Sequence, residues 1–118
     1  MEKYDLKERT ARFGENVISF VKEIRPTPLN SPLLAQIIRS GTSVGANYME
    51  ADCGKSRKDF IHKLSIARKE AKETMYWARM LHTTNPEKQN ECMRVYNEGQ
   101  ELVRIFSSII IKTRVTSV

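Results

Sequence analysis

Seven cations crowd the stretch from Lys55 to Lys72 (Lys55, Arg57, Lys58, Lys63, Arg68, Lys69, Lys72), against two acids, Asp59 and Glu70. This local balance of +5 holds nearly all of the net charge of +6 carried by 118 residues. Read at helical spacing, Lys58, His62, Ser65, Lys69, Lys72, Tyr76 and Arg79 step by 4, 3, 4, 3, 4 and 3 and fall along one line. The line is about 30 Å long at 1.5 Å per residue. A row of cations with an interleaved aromatic ring suits a nucleic-acid backbone. Neutralised phosphates release their counterions, and Tyr76 offers a face on which an unpaired base can stack. The plainer reading of the same row is a solvated helix face, with Lys69 and Glu73 forming an intrahelical pair.

The residues that could catalyse a reaction or ligate a metal do not converge. His62 and His82 are separated by about 30 Å along one helix and cannot share a metal. Cys53 and Cys92 fall near opposite ends of the expected fold, whereas a disulfide needs Cα atoms within about 7 Å. The chain contains no C-x-x-C, H-E-x-x-H, phosphate-cradling glycine loop or G-x-S-x-G, and no paired Glu-x-x-His motifs of a di-iron bundle. The expectation is therefore no catalytic residue, no metal, no cofactor and no enzymatic activity.

A second pattern lies upstream, where Gln36, Ser40, Ser43, Asn47 and Glu50 step by 4, 3, 4 and 3 without a lysine. Small residues let backbones approach, and Asn47 and Glu50 can bridge to another helix or subunit through side-chain hydrogen bonds. Ser43, Asn47 and Glu50 are thus candidates for a helix or subunit interface. A moderately polar helix facing water is the alternative.

Four helices are needed to position these rows. Leu6, Thr10, Phe13, Val17, Phe20 and Ile24 keep helical spacing and predict a first helix over about 5–25, capped by Asp5 with Glu8 reaching back, and closed at Arg25-Pro26. Ser31-Pro32 supplies a cap and a first-turn proline for a helix over about 32–52, which Gly54 and Lys55 break. Ser56 and Asp59 begin a third over about 57–83, whose core seam is Phe60, Leu64, Ala67, Ala71, Thr74, Ala78 and Leu81. Asn85-Pro86 starts a fourth over about 86–113, turning Cys92, Val95, Gly99, Leu102, Phe106 and Ile109 inward. Short connections favour antiparallel neighbours, so the fold class is all-α: one domain, 1–118, as an up-down-up-down four-helix bundle.

Composition bounds the alternatives. A chain that is 40% hydrophobic, with 5 Gly and 4 Pro, can bury a core and is not a disordered tail. Its longest uncharged stretches, Pro26 to Ile38 and Ser40 to Met49, fall short of the roughly 18 apolar residues of a membrane span. The mixed-charge start, Met1 to Asp5, is not that of a signal peptide, so a cytoplasmic protein with no membrane partner is expected. Ile18, Val21, Ile38, Met49, Ile61, Ile66, Trp77, Met80, Ile110 and Ile111 lie outside the seams. That surplus predicts burial by oligomerisation.

The segments Thr42-Ser43-Val44-Gly45-Ala46-Asn47-Tyr48-Met49-Glu50-Ala51, Ser56-Arg57-Lys58-Asp59-Phe60-Ile61-His62-Lys63-Leu64 and Glu70-Ala71-Lys72-Glu73-Thr74-Met75-Tyr76-Trp77 carry a resemblance. The chain resembles, over residues 5 to 114, the four-helix-bundle proteins encoded by intervening sequences in bacterial 23S ribosomal RNA genes. That resemblance implies a homopentamer of antiparallel bundles arranged as a barrel. It also implies a likeness in fold to the accessory protein of diversity-generating retroelements, which has a basic surface and binds a reverse transcriptase and nucleic acid. No catalytic role comes with it for Ser43, Asn47, Glu50, Asp59, Phe60, Glu70 or Trp77. The expected function is a non-enzymatic oligomeric bundle whose basic face, Lys58, His62, Lys69, Lys72, Tyr76 and Arg79, binds RNA or DNA. The alternative is an interaction module that docks a protein partner, such as a mobile-element enzyme, on that face.

Overall fold

The computed structural model describes residues 5–53 and 55–115; Met1 to Tyr4 and the expected helix breaker Gly54 lie outside the described residues. Four helices are present, α1 (Leu6–Lys22), α2 (Ser31–Asp52), α3 (Arg57–Thr84) and α4 (Gln89–Val115), and no strand occurs among the described residues. The molecule measures 51 × 22 × 21 Å, two helices thick in both short directions. α2 packs between α1 and α3, and α3 between α2 and α4, while the seam between α1 and α4 is thin. Neighbours run antiparallel, as paired positions show: Lys7 lies near Asp52, Lys63 near Glu50, and Arg68 near Ser107.

The core follows the expected periodicity. Phe13, Val17, Ile37, Val44, Leu64, Leu81, Leu102 and Phe106 are fully buried, and the alanines of α3 let α2 and α4 approach it closely. On α4, Ile105 and Ile110 join the core while Ile109 is only half-buried, so Ile110 leaves the expected surface surplus. Gly41 leaves room for Val17 where α1 and α2 cross, because a Cβ there would stand 2.9 Å from Val17 Cγ2.

Helix ends depart from expectation where loops offer better hydrogen bonds. Asp5 caps α1 by accepting from Glu8 N at 3.2 Å, but the Glu8 carboxylate turns to Arg12 at 3.0 Å instead of reaching back. α1 stops at Lys22, three residues early, although Ile24 remains buried. Asn30, and not Ser31, occupies the cap position of α2, and its side chain makes no cap bond. Its buried amide instead accepts from Thr27 N at 2.7 Å and donates to Arg25 O at 3.1 Å and Asn85 Oδ1 at 3.2 Å. The α1–α2 loop is thereby pinned to the α3–α4 loop. Pro86–Lys88 form a single 3-10 turn before α4 begins at Gln89. Ser56 caps α3 as expected, accepting from Asp59 N at 3.0 Å.

Candidate nucleic-acid interface

α3 is a 28-residue helix flanked by α2 on one side and α4 on the other, which leaves one long face outward. Lys58, His62, Lys69, Lys72, Tyr76 and Arg79 are all exposed on that face, and Ser65 is half-buried. Among the described residues, no carboxylate lies within 4.0 Å of the amino groups of Lys58, Lys69 or Lys72 or of the Arg79 guanidinium. Tyr76 is 53% exposed and stands edge-on to Trp77, ring centroids 5.0 Å apart at 76°. The two rings thus pack at a steep angle, and about half of Tyr76 stays open.

The expected Lys69–Glu73 pair does not form. Glu73 accepts from Arg39 of α2 at 2.5 Å, and Arg39 donates with its other terminal nitrogen to Glu70 at 3.1 Å. A guanidinium satisfies two carboxylates with fixed geometry, which an ammonium one turn away on an exposed helix cannot match. These bonds, that to Glu73 foremost, raise the Arg39 pKa above its ordinary value. Lys63 is likewise held, by Glu50 at 2.9 Å, and its pKa is raised by that hydrogen bond. Arg68 donates to Ser107 of α4 at 3.3 Å.

Two residues of the polar row on α2, Ser40 and Glu50, reach α3. Ser40 is fully buried and accepts from Thr74 Oγ1 at 2.8 Å, and Glu50 reaches Lys63. Ser43 and Asn47 bond within their own helix, to Arg39 O at 2.6 Å and Ser43 O at 2.8 Å. Gln36 accepts from Arg39 Nε at 3.1 Å and so helps orient the clamp.

Sequence spacing missed a cluster assembled from two helices. Arg57, Lys58 and Arg114, with Ile61, line an open cavity of about 490 Å³ where α3 begins and α4 ends. The signal was available in the topology, since an antiparallel α4 must return its last turn to the start of α3. A larger cleft, about 930 Å³, opens beside the α1 N-terminus between Arg9, Tyr48, Asp52, Arg104, Ile105 and Lys112. It mixes both signs of charge, and Arg9 is paired with Glu101 across it. Among the described residues no three metal-ligating side chains gather, and the cysteines are free, Cys53 exposed and Cys92 buried. Burial chiefly pushes the Cys92 thiol up to about 11. A shallow groove of about 300 Å³ runs between α1 and α2 over Ala11, Gly14, Gly45 and Ala46, and Ile18 and Met49, 41% and 57% exposed, also line it. No helix among the described residues is long and apolar enough to cross a membrane.

A protein with unknown function from the S23 ribosomal protein family of Bacteroides thetaiotaomicron has a similar crystal structure. The two are 36% identical, with a TM-score of 0.78 over 88% of this chain and 96% of that one. No curated protein sequence matches this chain. The model of the 23S rRNA-intervening sequence proteins matches residues 2–108. Within that span, Val44, Ala51, Leu64 and Ala71 are buried, while Glu50, Glu70 and Glu73 make the bridges from α2 to α3 or receive them. The matched segments are thus those that build the bundle, and the chain belongs to the 23S rRNA-intervening sequence protein family.

Proposed function

We propose that this protein is a non-enzymatic, cytoplasmic bundle that assembles as a homo-oligomeric ring, a pentamer, and presents the outer face of α3 to nucleic acid. The observation that carries the reading is the row of exposed cations on α3 with no carboxylate beside them among the described residues, in a molecule that pairs Arg39 and Lys63 on the flank between α2 and α3. Unpaired cations keep their counterions, and releasing those counterions to phosphates drives binding. The family name adds a context of ribosomal RNA genes. The α1–α2 groove, with Ile18 and Met49, supplies apolar surface for a neighbouring copy. Five copies would present about +30 charges in one ring, so weak individual contacts add through multivalency.

Mobility shift with structured RNA, single-stranded DNA and duplex DNA tests the binding. At about 50 mM salt the wild type shifts at least one of them, and Lys69→Glu with Lys72→Glu abolishes the shift. No shift at that salt, or a shift that the double variant leaves intact, overturns the nucleic-acid reading. Light scattering coupled to size exclusion tests assembly: a mass near the 13.6 kDa of one chain overturns the ring.

A further inference from the structure

We infer that the strand bound by this face is single-stranded, with one backbone phosphate seated at the junction of α3 and α4 and one base stacked on Tyr76. The inference rests on the nucleic-acid reading above and fixes the form and register of the ligand.

The junction differs from the rest of the row. Lys69, Lys72 and Arg79 all come from one helix, whereas Arg57 and Lys58 of α3 and Arg114 of α4 line one cavity together with Ile61. Three cations from two helices around one space suit an oxyanion, because guanidinium groups fork onto phosphate oxygens and lysine adds a point charge. The positive N-terminal end of α3 is offset there by the negative C-terminal end of α4, so the side-chain cations supply the attraction. The cluster exists only through packing: Arg68 to Ser107, and Gly99 lying against Ala71, hold α4 antiparallel to α3 so that Arg114 arrives beside Lys58.

Tyr76 decides between a strand and a duplex. Its exposed ring, braced by Trp77, is placed to stack on a base. A duplex keeps its bases stacked on one another and presents phosphates and groove edges, so the ring would meet nothing it could stack on. From Lys58 to Tyr76 is about 27 Å along the helix. That matches about eight stacked nucleotides at 3.4 Å each, and fewer in a stretched strand. Lys69 and Lys72 lie between the two anchor points and would follow the backbone there.

The test is fluorescence anisotropy of the full chain with labelled 12-nucleotide RNA, DNA of the same sequence, and the 12-base-pair DNA duplex, at two salt concentrations. Binding of either single strand about tenfold tighter than the duplex is expected, and the RNA and DNA arms identify the sugar preferred. Lys58→Ala with Arg114→Ala should weaken single-strand binding about tenfold or more and make its salt dependence shallower. Tyr76→Leu should weaken it about fivefold or more with the salt dependence unchanged, since stacking releases no counterions. Circular dichroism melts of each variant establish that it folds; if the double variant does not, Arg114→Gln alone carries the same expectation. Duplex bound as tightly as single strand, or single-strand affinity indifferent to Tyr76→Leu or to the junction variants, overturns this inference and leaves the basic face standing. Binding of none of the three overturns both.

Discussion

The two sides of α3 are both rich in polar and charged residues and have opposite fates. The flank facing α2 carries Lys63, Glu70, Glu73 and Thr74, each joined to a partner: Glu50, Arg39 or Ser40. The outer face carries Lys58, Lys69, Lys72 and Arg79 with no carboxylate in reach among the described residues. A count of charges along the sequence does not say which of them are paired. The difference is made by α2, which brings Arg39 against the one carboxylate of α3 that is nearly buried, Glu70, whose side chain is 10% exposed. The inner flank spends its polar groups on holding two helices together, and the outer face keeps its charge available.

The largest effect should come from breaking the inner flank. Arg39→Met leaves Glu70 buried beside Glu73 and should cost about 2 kcal/mol, below the 3–5 of a fully buried pair because Arg39 is itself half exposed. In thermal melts this lowers the midpoint by about 8 °C. An unchanged midpoint would erase the distinction between the two sides.

Cys92 extends the contrast to ionisation. It lines a groove with Ala78, Arg79 and His82 of α3, and burial first, then Glu91 and Glu87, raises its thiol from 9.0 to about 11. The folded chain holds this proton through a range where the unfolded chain has released it. Stability is therefore complete below pH 9.0 and falls as pH rises toward about 11, by about 2 kcal/mol. Urea melts across that window check it. A thiol reagent at pH 8 should modify exposed Cys53 quickly and buried Cys92 only on unfolding.

The hydroxyl pair inside the α2–α3 seam should matter less. Thr74→Val removes the donor to Ser40 and should cost about 1 kcal/mol, with a double-mutant cycle against Ser40→Ala showing coupling. The smallest effect belongs to the outer face, where Lys69→Ala with Lys72→Ala should leave the melting midpoint within about 2 °C. Loss of stability there as large as that of Arg39→Met would mean that the outer cations hold the fold and are not available for a ligand.

Much of this molecule was legible in its sequence. Helical periodicity placed Phe13, Val17, Leu64 and Leu81 in the core, and Ser56 with Asp59 marked the start of α3, because both are decided within a few residues of chain. The outward row on α3 was legible too, since a core seam at one phase of a helix leaves the opposite phase outside. Its ion pairing was not. The local rule pairs Lys69 with Glu73, but a guanidinium from another helix outcompetes it with two fixed bonds. The cap of α2 escaped for a similar reason, as Asn30 is held by Arg25 and by Asn85, 55 residues away. Short-range patterns of side-chain size and spacing therefore determined which helices form and which faces they bury. Only the tertiary structure decided which charges are neutralised, which remain outside, and that Arg57, Lys58 and Arg114 meet. Electrostatic and hydrogen-bond partners are chosen by distance in space, and antiparallel packing sets that distance.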